Sequence, residues 1–340
     1  MAGASLVGVD IGSMSIRAVE TVRGKEGPIA TCSGHVGLPP GTVQGGVVQD
    51  DKSVTAALKH LWSTAKFRGR QVAVGVANPQ VVVREMTLPN LPDKEMRKAL
   101  PFQVREVLPL PVEESVLDFL PLEDPGRNET VTGLLVAAPK EAVLVAVRAI
   151  ERAGLHVSRV DLASFALLRA VSRVDGQPEA IVDIGVESTT VVVHVDGRPL
   201  IVRFVSRGGG DVTSMIAARL DIPLEQAEAL KCRIGLQREA DPHAAEAVRD
   251  AVQPLVSEIR SSFAYLSNAT RPTRVRRLAL CGGGSLLPGL ADELHEELGV
   301  EVSLVDPAGR LRGARRDASG SLEEFRASAA VSVGLTLGAA

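Results

Sequence analysis

Short apolar runs, broken by glycine and charged turns, dominate the first part of the chain. Residues 5–20, SLVGVDIGSMSIRAVE, read as strand, tight Gly/Ser turn, strand. Another strand is predicted near 27–37, and the stretch LPPGTVQGG after it reads as loop. Between Asp51 and Phe67 the apolar residues Val54, Ala57, Leu58, Leu61 and Trp62 recur at helical spacing, with Asp50 or Asp51 as cap. QVAVGVA at 71–77 is a buried strand. From Val81 to Glu123 prolines at 89, 92, 101, 109, 111 and 121 punctuate the pattern around one charged helix, DKEMRKALPFQVREVL. A strand follows at 130–137, an amphipathic helix at 140–153 ended by Gly154, and a strand and helix at 157–170.

The first pattern then restarts. AIVDIGVESTTVVVHV at 180–195 is again strand, turn, strand, and 199–206 continues the meander. Helices are predicted over 211–220, 223–238 and 241–268, and a strand over 277–281. After GGGSLLPGL a helix, entered near Leu287–Pro288, runs to Leu298. The strand VEVSLVD, an Arg-rich loop at 308–321 and a small-residue helix to Ala340 close the sequence. In that loop Arg310, Arg312, Arg315 and Arg316 read best as a solvated surface.

At 340 residues the chain exceeds one ordinary core, so two lobes are expected. A content of 45% hydrophobic and 23% charged residues excludes global disorder. Only 3% is aromatic, so the core is aliphatic, which suits parallel or mixed sheet covered by helices. A net charge of −3 argues against a nucleic-acid partner. Cys32, Cys232 and Cys281 are odd in number and widely spaced, pointing away from disulfides or zinc and toward a reducing compartment. The first residues reach Asp10 before a signal-peptide core could form, and no run approaches a membrane span, so direct membrane insertion is not expected.

Val-Asp-Ile-Gly occurs at 9–12 and again at 182–185, a spacing of 173 residues, about half the chain. Each copy ends a buried strand, enters a turn with a serine three residues after the glycine (Ser15, Ser188), and leaves on a strand, which implies two related lobes. A Gly-Ser turn gathers backbone N–H groups into an anion-binding concavity. Beyond the first turn Ser13, Ser15 and Arg17 alternate and share one strand face, a set suited to phosphate oxygens. Asp10 and Asp183, at the strand ends, are placed to hold hydrated Mg²⁺ through water. Three weaker elements accompany the turns. ALCGGGSLLPGL runs a buried strand into Gly282, Gly283, Gly284 and Ser285; RGGGDVTSMIAARL puts Gly208, Gly209 and Gly210 before a helix that Asp211 would cap, its N-terminus facing an anion; Glu228 and Lys231 are neighbours on a helix face.

Together these motifs resemble the actin-like ATPase superfamily, and within it the PilM family of type IV pilus assembly proteins. VGVDIGSMSIRAVE, the insert VREMTLPNLPDKEMRKALPFQVREVLPLPVEESVLDF, RGGGDVTSMIA and LEQAEALK carry the resemblance, which covers essentially the whole chain. It implies an α/β, two-lobed actin-like (ribonuclease H-like, duplicated) fold with an inserted subdomain in the first lobe. Residues 1–78 form the first lobe, completed by 155–176 and 327–340; 79–154 are the insert; 177–326 are the second lobe. It further implies ATP between the lobes. Gly12, Ser13, Met14, Ser15 and Arg17 surround the β- and γ-phosphates; Gly185, Glu187, Ser188 and Thr189 belong with Asp183 to the second phosphate turn; Gly282 to Ser285 lie beside the adenosine, and Glu228 and Lys231 line adenine and ribose. Asp161 stands where relatives carry a catalytic acid, with Asp183 as its companion. The second turn reads DIGVES in place of a glycine run, which implies slow or absent hydrolysis.

The resemblance also implies a cytoplasmic protein, peripheral at the inner face of the cytoplasmic membrane through a partner. That partner is the N-terminal cytoplasmic peptide of PilN, with other platform proteins, a motor ATPase and further copies of the chain beside it. A groove between insert and first lobe would take the peptide, with Leu88, Leu91, Met96, Leu100, Phe102 and Val104 as candidates, although the same residues could fill the insert's own core. Two alternatives remain: an FtsA-like cell-division actin homologue, whose basic terminal helix has no counterpart in AAVSVGLTLGAA, and a small-molecule kinase of the same superfamily.

Overall fold

A computed structural model describes residues 5–122, 124, 126, 128–237, 241–267, 273–313 and 321–338. β1 (Leu6–Ile11), β2 (Ser15–Gly24) and β3 (Gly27–Gly37) form an antiparallel meander. The segment expected as plain loop holds a small hairpin, β4 (Val43–Gln44) and β5 (Val47–Val48). α1 (Asp51–Ala65) follows, its N-cap Asp50 accepting from the Lys52 and Ser53 amides, and then β6 (Gln71–Val76). Next come β7 (Val82–Pro89), α2 (Asp93–Gln103), β8 (Ser115–Pro121), β9 (Thr130–Pro139), α3 (Lys140–Arg152), β10 (His156–Leu162) and α4 (Ala163–Val171). The second half contains β11 (Glu179–Ile184), β12 (Thr189–Val195), β13 (Arg198–Val205), α5 (Gly209–Leu220), α6 (Leu224–Ile234) and α7 (Pro242–Ser267). β14 (Arg277–Cys281), α8 (Leu290–Leu298), β15 (Glu301–Leu304) and α9 (Ala330–Thr336) complete it.

The two five-stranded sheets repeat one order, β3-β2-β1-β6-β10 and β13-β12-β11-β14-β15. Their hairpins share a register: Asp10 lies opposite Arg17 and Ile11 opposite Ile16, while Asp183 lies opposite Thr190 and Ile184 opposite Thr189. The repeated tetrapeptide therefore marks a repeated lobe.

Alternation along the strands assigns each face. Val7, Val9, Val72 and Val74 pack outward against Val54, Leu58 and Leu61 of α1, whereas Ala73 faces inward onto α4 and α9. In the second sheet Ala180, Val182, Leu278 and Leu280 meet α5 to α8, while Ile181, Val192, Ala279 and Cys281 face α4 and α9. The two helices thus sit in a core shared by both sheets. Their approach is close: a Cβ on Gly334 of α9 would lie 1.8 Å from the Ala166 carbonyl oxygen of α4.

The insert is a three-stranded sheet, β7-β9-β8, with its own core of Leu88, Met96, Leu100, Val104, Val131 and Leu135. Its outer strands are edges that end on Pro89 and Pro121, where proline is tolerated, and those prolines made both strands look irregular in sequence. α2 stops at Gln103 and does not reach Leu108; the Val104 carbonyl then accepts from the Val107 and Leu108 amides. α3, grouped with the insert by sequence, packs on α1, with Ala149 and Ile150 in one core with Leu58. The chain is already back against the first lobe at Arg312, whose amide donates to Pro28 and whose carbonyl accepts from Ala30 at 3.0 and 2.9 Å. Arg310 donates to the Ser172 carbonyl at the end of α4 and Arg312 pairs with Glu26; Arg315 and Arg316 lie outside the described residues.

Candidate functional site

Period-two alternation puts Asp10 on the side of β1 that faces α9, and Asp183 on the side of β11 that carries Ile181. Both carboxylates leave their strand ends toward the space between the lobes. Asp10 pairs with Arg17, its cross-strand neighbour, at 3.1 Å. Burial still raises the Asp10 carboxyl above its ordinary value, against the charge and hydrogen bond of Arg17. Burial, and then the charge of Asp10, push Asp183 up to about 6, opposed by the charge of Arg17 and by the neighbouring Cys281 thiol, which donates to the Val182 carbonyl at 3.7 Å. Two carboxylates that share the charge of one guanidinium, bonded to Asp10 alone, leave excess negative charge. A hydrated divalent cation, which keeps most of its water, suits that pair.

The two turns close alike. The Gly12 amide donates to the Ser15 carbonyl at 3.0 Å, and the Gly185 amide to the Ser188 carbonyl at 2.9 Å. Ser13, Ser15 and Ser188 are partly exposed and Met14 is exposed, so the first turn is open to solvent and to a ligand. Beyond the closures the turns differ. The Met14 carbonyl accepts from the Leu38 amide of the same lobe at 2.8 Å, whereas Glu187 accepts from the Gly45 amide of the other lobe at 3.1 Å. Thr189 is buried and donates to the Arg207 carbonyl at 2.8 Å, so its hydroxyl braces the turn from within.

The glycine run at 208–210 corrects an expectation. The Gly209 and Gly210 amides donate to the carbonyls of Gly185 and Val186 at 2.9 and 2.8 Å, so the start of α5 is docked on the second turn and those donors do not face an anion. Asp211 is not the cap; it sits inside the first helical turn, where its carboxylate accepts from the Gly208 amide at 2.7 Å.

Gly282, at φ +85°, passes so close to the second turn that a Cβ there would lie 2.5 Å from Asp183 Oδ1. A Cβ on Gly283 would meet nothing within 4 Å, so this wall faces open space. Ser285 is buried and its hydroxyl donates to the Gly282 carbonyl at 2.7 Å; it closes its own turn and is not presented to a ligand. α8 begins at Leu290, later than expected, because Gly289 at φ +81° turns the chain before it. Lys231 donates to the Gly209 carbonyl, Thr213 and Glu228 at 2.9, 2.8 and 2.6 Å. Burial alone would raise Glu228, but hydrogen bonds from Lys231 and Thr213 hold its carboxyl below the ordinary range. The Glu228–Lys231 pair therefore joins α6 to the start of α5.

Asp161 of β10 is paired with Arg169 of α4, whose Nε donates to the Gly334 carbonyl at 3.0 Å. The carboxylate expected to act as an acid is thus engaged in fastening β10, α4 and α9. Four of the groove candidates, Leu88, Met96, Leu100 and Val104, are buried in the insert's own core, and Leu91 packs partly against it. Met96, Leu100 and Val104 recur at helical spacing and turn onto the sheet, where Leu88 of β7 meets them, so these four fill the core and do not line a groove. Phe102 points away and is 80% exposed. Sequence reasoning missed Val116 and Leu120, exposed on β8, although the alternation VLDFL carried the signal. It also missed the Cys281 thiol beside Asp183, and no motif pointed to Asn78 and Gly45.

The chain matches, over residues 8–340, the family described as type IV pilus assembly protein PilM. Among solved structures it is similar to the PilM–PilN type IV pilus biogenesis complex, with a TM-score of 0.85 and 30% identity over 98% of this chain and 97% of that one. MreB5 of Spiroplasma citri bound to ADP shares the fold, at a TM-score of 0.51 and 14% identity over 89% of this chain and 92% of that one. The cell division protein FtsA of Streptococcus pneumoniae serotype 2 is 26% identical over 331 residues, 89% of this chain. The chain spans 66% of that relative's length. The duplicated, two-lobed α/β architecture is the actin-like fold.

Proposed function

The chain belongs to the type IV pilus assembly protein PilM family, and from that premise we propose that it is the actin-like, nucleotide-binding component of a pilus assembly platform. ATP lies between the lobes. The observation that carries this reading is the pair Asp10 and Asp183, which end equivalent strands of the duplicated hairpins and lie near enough for the charge of Asp10 to raise the Asp183 carboxyl. Mg²⁺ would be held there through water, offsetting the charge of the carboxylates and of a polyphosphate. Ser13 and Met14 offer backbone amides to the phosphates, the Gly12 amide being taken by the Ser15 carbonyl, and Arg17 fixes the orientation of Asp10. Gly283 leaves room for the nucleoside, with Glu228 and Lys231 on its far side. Hydrolysis is slow or absent, since Val186 and Glu187 crowd the second turn and Asp161 is committed to Arg169.

The partner is the N-terminal cytoplasmic peptide of a PilN-type protein, a reading supported by the resemblance to the PilM–PilN complex. An extended peptide gains main-chain bonds at a free sheet edge and seats alternate side chains on apolar residues. The free edge of β8, with Val116 and Leu120, and the exposed Phe102 of α2 provide both. Among the described residues no helix is long and apolar enough to cross a membrane, so the partner supplies the attachment to the inner face of the cytoplasmic membrane. Other platform proteins, the motor ATPase and further copies of the chain complete the assembly.

Titration of the purified protein with a synthetic PilN N-terminal peptide, with and without ATP and Mg²⁺, tests both halves. Binding in both states, with an affinity that ATP changes through lobe closure, is expected. No peptide binding at high micromolar concentration in either state removes the pilus reading. A cell-division role is then the second reading, favoured by the FtsA relatives.

A further inference from the structure

Gly45 and Gly46 are the two turn residues of the β4–β5 hairpin, with φ of +53° and +74°, the left-handed pair that so short a turn demands. The Gly45 amide donates to Glu187 at 3.1 Å, and the Gly45 carbonyl accepts from Asn78 Nδ2 at 3.1 Å. Asn78 is buried; its Oδ1 accepts from the Gln80 amide at 2.7 Å and its carbonyl from the Val81 amide at 2.9 Å. Val81 immediately precedes β7, the first strand of the insert. A single hairpin residue therefore connects the second turn of the cleft to the root of a subdomain in the opposite lobe. The equivalent position in the first turn, Met14, has no carboxylate and is held by Leu38 of its own lobe.

We propose that Glu187 is a positioning residue: its carboxylate straps the second turn, through Gly45 and Asn78, to the root of the insert, and a polyphosphate seated at that turn displaces it. An ionised carboxylate can only accept hydrogen bonds, so it gives a phosphate nothing and repels it. Its bond to Gly45 and an occupied turn are thus in competition. Once the bond breaks, Gly45 is free to move and Asn78 loses the acceptor that fixes its amide. Occupancy of the cleft is in this way communicated to the insert, where the peptide docks. The release step rests on the nucleotide reading above; the strap itself does not.

Amide hydrogen exchange resolved at Gly45 and Val81 tests both parts. Without nucleotide, Glu187→Ala accelerates exchange at Gly45 by about tenfold over wild type, with a smaller rise at Val81, since each amide reports its own local opening. Glu187→Gln keeps an acceptor oxygen, so Gly45 stays protected. Addition of ATP and Mg²⁺ releases both amides in wild type and leaves them protected in Glu187→Gln, which has no charge to repel. Unchanged protection of Gly45 in Glu187→Ala overturns the strap. Release in Glu187→Gln equal to wild type overturns displacement by charge. Should calorimetry detect no ATP uptake by wild type, the nucleotide reading falls, while the nucleotide-free comparison of the Ala and Gln variants still decides the strap.

Discussion

The two Val-Asp-Ile-Gly hairpins have one register, one closing hydrogen bond and one place in their sheets, yet they hold their aspartates differently. Opposite Asp10 stands Arg17, a guanidinium that bonds the carboxylate; opposite Asp183 stands Thr190, buried and uncharged. Asp183 therefore bears burial and the charge of Asp10 with no cation in its own hairpin, helped only by the charge of Arg17 from the other hairpin and by a thiol, and its carboxyl rises to about 6. The surroundings diverge as well. The first lobe follows its hairpin with β4–β5 and an insert, whereas the second docks α5 directly on the turn. Duplication has preserved the backbone that sets out the cleft, and substitution of its neighbours has given one copy a cation and the other a brace.

The largest expected effect lies at the facing pair. Asp10→Ala weakens binding of ATP with Mg²⁺ by about 100-fold, the scale of losing one member of a buried charged contact. Gly283→Phe does the same by filling the open wall, and both variants keep the wild-type melting temperature within a few degrees. ATP affinity unchanged in both removes the assignment of the two turns to nucleotide and, with it, any functional meaning of the comparison.

The insert separates the lobes next, because the second lobe has no counterpart to it. Phe102→Asp lowers peptide affinity by about 30-fold, as loss of an aromatic anchor does, and leaves ATP affinity alone. At 80% exposed, Phe102 contributes nothing to the core, so stability is unaltered. Asp10→Ala shows the reverse pattern. Peptide and ATP binding lost together in either variant merges the two sites into one.

The pH dependence distinguishes the aspartates themselves. The Asp183 carboxyl titrates at about 6 in the folded protein and at 3.8 ordinarily, so the folded state holds its proton more tightly than the unfolded chain does. Its contribution to stability is fully present below about pH 4 and is lost as pH rises through 6. Asp183→Asn removes the loss, making the nucleotide-free protein more stable at pH 7 by about 3 kcal/mol and flattening the profile between pH 4 and 6. Binding of Mg²⁺ strengthens over the same interval in wild type. Chemical denaturation across pH measures both, and parallel profiles for wild type and variant contradict the electrostatic difference between the copies.

The repeat that organises the molecule was legible because it is written in backbone-demanding residues. Asp10, Gly12, Asp183 and Gly185 align directly, and the cap of α1 could be narrowed to Asp50 or Asp51 from their place before a helical pattern, of which the structure uses Asp50. The insert's sheet was not, because the prolines ending β7 and β8 are tolerated only for strands at an edge, and edge position is a tertiary fact. Nor could the sequence say that the amides of Gly209 and Gly210 are already taken by the second turn, or that Leu100 is buried while Phe102 is not. Those outcomes depend on which partner reaches a group first, and the partners lie far away along the chain. Asp161 and Arg169 are only eight residues apart, but their pairing needs β10 and α4 folded against each other.

The smallest expected effect compares how the two lobes begin their first helix after the hairpin region. α1 is capped by Asp50, whose exposed carboxylate accepts from Lys52 and Ser53 and lies outside the cleft. α5 has Gly208 at its cap, Asp211 returning a bond to the Gly208 amide, and its next two amides on the turn that carries Asp183. Asp50→Ala and Asp211→Ala should each lower the melting temperature by roughly 2–4 °C, since each removes one capping interaction from a protein of this size. Only the second should also weaken ATP binding, by about threefold, because a loosened α5 leaves the Gly185 and Val186 carbonyls less firmly held and the turn less well ordered before the ligand arrives. Thermal melts with and without ATP read both quantities from one sample. If the two variants lose the same stability and neither changes ATP affinity, α5 does not brace the second turn, and the two lobes differ at their turns only in the charge that faces each aspartate.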